Sequence, residues 1–332
     1  MSQRAHFAHI LDDRALGGVT RALDNFWHPD IAAIGEQHIV DLQSRLWTVL
    51  SDESIGIIHF TASWKKLGEL FALRRSAKFS KLILIEHSYT EGFESHCVER
   101  QKRFRLMLSL AYRMVDRVIA VSESQRLWML EAKLAPSRKI IAIPQARDCY
   151  HLFDIPLTRR RPGPLRLGAF GRFHEQKGFD LLIEAMSDIP AHQCALQLAG
   201  YGEDKAKLEA LAAALPHVSI EPAFACPQTF LSGVDVVAIP SRWEAFGLVG
   251  AEARAAGRPI IAAHIDGLKD QVGTHSWSHI PGDVLDLRRA ILSACRAHDL
   301  HERGYMARLH VGQEFPRMVE AWANLQAELA HA

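Results

Sequence analysis

The sequence predicts an α/β protein built from two doubly wound, Rossmann-like halves. Short apolar runs alternate with longer amphipathic stretches. A proline- and arginine-rich break interrupts this alternation near the middle of the 332-residue chain. The alternation then restarts beyond it. Sheets of this kind take ligands at the carboxyl ends of their strands, so a cleft between the halves is the expected site.

In the first half, strands are expected at Phe7–Leu11, Ile55–Phe60, Leu82–Ile85, Val118–Val121 and Ile140–Ile143. Helix-length stretches lie between them at Val19–Trp27, Lys66–Ala77 and Val98–Val115. The break is Asp154–Pro164, DIPLTRRRPGP, whose three prolines and three consecutive arginines suit a linker better than a helix or strand. Beyond it, Leu165–Phe170, Ala195–Ala199, Val218–Ile220, Val234–Ile239 and Pro259–Ala263 read as strands. Phe179–Met186, Lys205–Leu215, Leu248–Ala256 and Leu285–His298 read as helices. The expected division is a first domain over 1–155, a linker over 156–164, a second domain over 165–310, and a terminal segment over 311–332. Within that last segment Phe315–Leu329 forms a helix that packs back on the first domain.

Composition excludes several classes. Hydrophobic residues make up 48% and charged residues 23%, which supports ordinary cores and argues against extended disorder. Cys97, Cys149, Cys194, Cys226 and Cys295 are scattered with no CxxC pair, as expected for a reducing compartment rather than a zinc ribbon. The first ten residues carry Arg4, His6 and His9 and do not read as a signal peptide, so a cytoplasmic location is expected. Residues 1–160 hold 23 Lys/Arg against 18 Asp/Glu, and the remainder 16 against 20, so the first half is the mildly basic one.

Chemistry concentrates in Pro240–Pro259, PSRWEAFGLVGAEARAAGRP. A strand ends at Pro240, a polar turn carries Glu244, and Gly247 precedes a helix from about Leu248. Such a helix start offers unpaired N–H groups to an anion, and a glycine there permits close backbone approach. Glu252 falls roughly one turn inside the helix. Glu244 and Glu252, with Ser241, Phe246, Gly247 and Gly257, resemble the E-x7-E signature of family 4 retaining glycosyltransferases, which have the GT-B fold. The resemblance implies that Glu244 lies at the donor sugar and Glu252 at the ribose hydroxyls. It implies that the amides from Phe246 through Gly247 and Leu248 to Val249 meet the sugar and diphosphate.

A second segment, Leu167–Gly178 (LGAFGRFHEQKG), runs from a strand through Gly171 to Arg172 and Lys177 before another helix. A guanidinium and an ammonium suit the charge of a departing diphosphate. The segment resembles the family's G-R-x-x-x-x-K-G loop, in which Arg172 and Lys177 would hold that group. Weaker likenesses are the turn ending in Gly202 and the Gly17–Gly18 pair near the donor phosphate or acceptor. His87, just after the strand of Ile85–Ser88, matches a histidine that contacts the donor sugar. His59 is a lesser candidate, and Ser122 matches a recurrent position that an N-cap role explains equally well. Where the family often has Asn-Gly, this chain has Gln145–Ala146.

Other sites are excluded by pattern. Gly200-Tyr201-Gly202 lacks the third glycine of a dinucleotide loop, and there is no GxxxxGK[ST], no GxSxG and no Asp-x-Asp metal pair. No cofactor, metal or nucleic acid is therefore expected. The resemblance implies transfer, with retention and without metal, of a sugar from a UDP- or GDP-type donor to a hydroxyl of a glycan or lipid-linked acceptor, in polysaccharide or glycolipid synthesis. A 2-epimerase on the same fold and a catalytically silent nucleotide-sugar binder are the alternatives. Arg100, Lys102, Arg103 and Arg105 lead into a helix whose apolar spacing suits core packing, with peripheral contact at the inner membrane face as the second reading.

Overall fold

Parallel strands buried on both faces read as unbroken apolar runs, and the strand Ser54–Ile58 is buried at every position. The computed structural model describes residues 4–12, 23–42, 53–159, 161–222 and 226–331. They form two compact units: Met1–Arg147 with Phe315–Ala332, and Asp148–Glu314. Each holds one six-stranded parallel sheet.

The first sheet comprises β1 (Ala5–Leu11), β2 (Gly35–Asp41), β3 (Ser54–Ile58), β4 (Phe79–Glu86), β5 (Arg117–Ala120) and β6 (Ile140–Ala142), ordered β2-β1-β3-β4-β5-β6. The strand order reverses between β1 and β3. Helices α1 (Leu67–Arg75), α2 (Glu91–Cys97), α3 (Gln101–Arg113) and α4 (Glu123–Glu131) belong to this unit. Met107, Leu108, Ala111 and Tyr112 of α3 are buried in its core with Leu82, Leu84 and Val118. The helix expected over Val98–Val115 is α3, which starts at Gln101 and ends at Arg113, and the separate helix α2 before it was not expected. The expected helix Val19–Trp27 is described only from residue 23, with a 3-10 turn at Asp24–Trp27. Gly17 and Gly18 lie outside the described residues.

The second sheet comprises β7 (Leu165–Arg172), β8 (Cys194–Tyr201), β9 (Val218–Pro222), β10 (Val236–Ile239), β11 (Ile260–Ala263) and β12 (Trp277–His279), ordered β12-β11-β10-β7-β8-β9. Its order reverses between β7 and β10. Around it lie α5 (Phe179–Met186), α6 (Lys205–Ala212), α7 (Pro227–Gly233), α8 (Leu248–Ala255), a single turn α9 (Asp266–Lys269), α10 (Val284–Arg296) and α11 (Leu300–Val311). Strands β2 and β12 were not expected. Gly35–Asp41 carries Glu36, Gln37 and His38 in place of an apolar run, and β12 has three residues.

The proline- and arginine-rich stretch is anchored on the second unit. Arg308 Nη2 donates to the Ile155 carbonyl at 2.6 Å, Arg258 Nη1 to the Pro156 carbonyl at 2.8 Å, and Thr158 Oγ1 to the Asp235 carbonyl at 3.2 Å. The last helix, α12 (Glu314–His331), counts with the first unit from Phe315 onward. It buries Met318, Val319, Trp322, Leu325, Gln326 and Leu329 on one stripe, and Trp322 meets Phe26 edge-on at 4.8 Å. Each fully buried apolar side chain of this size contributes about 1.5–3 kcal/mol, so this stripe secures the helix to its unit.

Candidate functional site

In open parallel sheets, ligands sit at the carboxyl ends of strands where the order reverses. In the second unit that place is flanked by β7 and β10. Arg172 ends β7 with its side chain exposed, and Ser241 to Glu244 follow β10. Lys177 Nζ meets Glu244 Oε2 at 2.5 Å, and Ser241 Oγ lies 3.4 Å from the same oxygen. Two segments 67 residues apart in the chain are therefore joined by one ion pair.

The loops are held from behind. Gly178 has φ +63, and a Cβ there would come within 2.2 Å of the Pro240 carbonyl oxygen, so only glycine lets the two loops approach. Arg242 forks onto Asp180 at 2.9 and 3.0 Å, while its backbone N–H donates to the Gln176 carbonyl. Burial opposes ionisation of Asp180, but the bonds and charge of Arg242, then of Lys207, hold its carboxyl at about 2. The Glu244 N–H donates to Asp266 Oδ2 at 3.1 Å, and Gly267 N–H returns a bond to the Glu244 carbonyl.

Gly247, at φ +92, is the residue before α8. Its carbonyl and that of Phe246 accept from Gln271 Nε2 at 3.1 and 2.5 Å. Gln271 Oε1 accepts from Arg254, whose buried guanidinium also forks onto Glu314 at 2.6 and 3.0 Å. This network fixes the turn so that the first amides of α8, from Leu248 and Val249, open the helix in a set direction. Glu252 is buried within α8. Gly171 and Gly202 sit at the ends of neighbouring strands β7 and β8. Sequence reading missed Asp180, Arg242, Arg254, Asp266 and Gln271. The first two are charged residues flanking recognised loops, which was the available signal.

The corresponding place in the first unit is of a different kind. His9 on β1, His59 after β3 and His87 after β4 form one chain of hydrogen-bonded rings. His9 Nδ1 lies 2.9 Å from His59 Nε2, and His59 Nδ1 lies 3.2 Å from His87 Nε2. Burial lowers His9 and His87 to about 4 and His59 well below its usual value, so all three are neutral at pH 7. Gln37 sets the direction of the chain. Its amide nitrogen donates to the Gly35 carbonyl at 3.4 Å and to Gln326 Oε1 at 3.0 Å, which turns Oε1 toward His9 Nε2 at 2.9 Å. His9 therefore carries its proton on Nε2, accepts at Nδ1 from His59 Nε2–H, and His59 accepts at Nδ1 from His87 Nε2–H. Among the described residues, this leaves the lone pair on His87 Nδ1 without a hydrogen-bond partner.

The turn carrying His87 is pinned by Glu86, whose Oε1 accepts from the Ser88 and Tyr89 amides at 3.0 Å each and whose Oε2 accepts from Tyr112 Oη at 3.0 Å. Burial raises the Glu86 carboxyl, and these bonds oppose that rise. A small cavity of about 30 Å³ is lined by Asn25, Phe26, His59, His87, Gln145 and Trp322 among others. Gln145, the departure from the family pattern, thus borders the histidine chain, and Asn25 Nδ2 donates to the Ala146 carbonyl at 3.0 Å. Ser122 is an N-cap, its Oγ accepting from the Gln125 amide at 3.2 Å.

Two six-stranded parallel sheets of this order, each flanked by helices, define the GT-B fold. Among solved structures, the chain matches HepE of Anabaena in complex with UDP-glucose at TM-score 0.75 and 18% identity, covering 97% of this chain and 98% of that one. It matches sucrose-phosphate synthase of Thermosynechococcus elongatus at TM-score 0.75 and 19% identity, covering 98% and 99%. Residues 164–296 match the family described as "Glycosyl transferases group 1". D-inositol 3-phosphate glycosyltransferase of Geodermatophilus obscurus is 30% identical over 250 residues, 65% of this chain and 54% of that protein. Glycogen synthase of Mycobacterium tuberculosis is 30% identical over 194 residues, 53% and 45% of the two. The chain thus spans about half the length of these curated relatives.

Proposed function

We propose that this chain is a retaining glycosyltransferase that moves a sugar from a UDP- or GDP-type donor to a hydroxyl of a glycan or lipid-linked acceptor. The observation that carries the reading is the Lys177–Glu244 pair beside the start of α8, at the reversal point of the second sheet. A diphosphate meets positive charge there from Arg172 and Lys177 and hydrogen-bond donors from the first amides of α8. Glu244 is an acceptor for hydroxyls of the transferred sugar, and Glu252 for those of the ribose. The resemblance assigns His87 to the donor sugar as well, and the lone pair on its Nδ1 would accept a sugar hydroxyl.

The acceptor oxygen attacks the anomeric carbon on the face from which diphosphate leaves. As the carbon–oxygen bond to the β-phosphate breaks, the acceptor proton passes to a departing phosphate oxygen. Arg172, Lys177 and the helix start stabilise the charge that develops, so the proposed reaction needs no metal. The UDP-glucose complex of HepE supports a nucleotide-sugar donor, and the relatives' names, a glycosyltransferase and a synthase, favour transfer over epimerisation.

The test is a panel of UDP- and GDP-sugars with candidate acceptors, read by mass spectrometry and by release of nucleoside diphosphate. A glycosylated product with the donor's anomeric configuration is expected, with chelator present or absent. Donor binding without release would leave a silent binding protein, and a C2-epimerised sugar would leave an epimerase.

A further inference from the structure

At the start of the first sheet, away from the strand ends that carry His59 and His87, three side chains converge on one face of its edge. His6 of β1 stands directly across from Glu36 of β2, and His38 follows two residues along the same face. His6 Nδ1 lies 3.1 Å from His38 Nε2, and Glu36 Oε2 lies 3.6 and 3.8 Å from those two atoms. The rings are stacked with centroids 5.4 Å apart.

A point equidistant from these three atoms in their own plane lies about 2.0 Å from each. Zinc binds imidazole nitrogen at about 2.0–2.1 Å and carboxylate oxygen at about 2.0–2.2 Å. An ion placed slightly above the plane thus reaches all three ligands with little side-chain movement, its fourth position open to water. We propose that His6, Glu36 and His38 form a binding site for a divalent transition-metal ion of the zinc class. Two imidazoles and one carboxylate favour such an ion over magnesium or calcium, which prefer all-oxygen sets. The ligands come from both strands, and among the described residues β2 has β1 as its sole neighbour in the sheet. A bound ion therefore clips the edge strand to the sheet. It occupies the strand starts, so its role is separate from the proposed transfer chemistry.

The full chain, freed of metal by chelator and dialysed, is titrated with Zn²⁺ by calorimetry and with Co²⁺ by visible absorption. One ion per chain and the absorption bands of tetrahedral cobalt are expected. Losing even an outer-sphere partner costs about 10–100-fold in metal affinity, so His6→Ala, His38→Ala and Glu36→Gln should each weaken binding about 100-fold or more. Zinc should raise the melting temperature of the parent and not of His38→Ala, with circular dichroism checking that each variant is folded. The proposal is overturned if the parent takes up no zinc at micromolar concentration. It is equally overturned if folded variants bind with the parent's affinity and stoichiometry, which would place the ion elsewhere.

Discussion

The two sheets reverse their strand order in the same way and furnish that place with opposite chemistry. The first presents a file of neutral, desolvated imidazoles: His9 is fully buried, and His59 is 5% exposed. The second presents ions: Lys177 against Glu244, Arg242 against Asp180, and Arg172 open to solvent. Topology sets where a ligand is received, while depth of burial sets whether the receiving groups keep their charge. Neutral rings with a fixed proton order suit the orientation of an uncharged sugar. Exposed cations suit a diphosphate.

The comparison breaks most visibly if the charged pair is removed. Glu244→Ala should lower turnover about 10²–10³-fold, the scale for losing one preorganised transition-state contact, while free nucleoside diphosphate binds nearly as before. Lys177→Ala should instead weaken nucleoside diphosphate more than nucleoside, and equal losses by calorimetry would refute the assignment to phosphate.

The neutral file has its own signature in acid. Since burial lowers His9 to about 4, the unfolded chain takes up a proton between about pH 6.5 and 4 that the folded chain refuses. The stability from this group is complete above pH 6.5 and is lost as pH falls toward 4. His275, also lowered to about 4 by burial, gives the second unit a share of that window, whereas the Asp180 carboxyl holds until the pH approaches 2. His9→Gln should shrink the difference in unfolding free energy between pH 7 and pH 4 by about 3 kcal/mol. Urea titrations at the two pH values measure it, and an unchanged difference would show that His9 is protonated in the folded state.

A finer test concerns Glu252. If it meets the ribose, Glu252→Ala should cost a ribonucleotide about 1–3 kcal/mol and a 2′-deoxy analogue much less. Strict additivity in the double-mutant cycle would remove that role. The smallest effect belongs to the basic residues near α3. The apolar face of α3 is spent on the core, Arg105 forks onto Glu94 at 2.6 and 2.8 Å, and the Arg103 guanidinium lies 5.3 Å from the centre of the Trp64 ring, which leaves Arg100 and Lys102 as the part of the cluster without such contacts among the described residues. Among the described residues, no helix is long and apolar enough to cross a membrane. Any attachment to anionic vesicles should be weak and salt-sensitive, about 1 kcal/mol per basic residue, and flotation without preference for anionic lipid would exclude it.

The charged loops were legible because each is local. Gly171–Gly178 and Ser241–Glu252 each place their glycines and charges within about one strand-to-helix turn, where spacing alone tells what faces what. The histidine file was only partly legible. His87 was marked and His59 weakly so, but His9 lies 50 residues from His59, and strand register alone brings them together. Gln37, which sets the direction of the file, belongs to an edge strand whose polar composition concealed it. Gln271 and Arg254 were missed for a related reason. They meet across 17 residues from different elements, and neither stands in a glycine-rich turn.

The single direction of the histidine file has a further consequence. Each neutral ring owns one proton, so turning over one ring alone would set lone pair against lone pair on one side and proton against proton on the other. The three rings and the Gln37 amide can reverse together only if Gln37 also gives up both the Gly35 carbonyl and Gln326 Oε1. They therefore behave as one two-position element and not as three independent side chains. In its reversed position the element would offer a donor at His87 Nδ1 where it now offers an acceptor, so the Gln37 amide, three hydrogen bonds away, sets which half of a hydroxyl that nitrogen would meet.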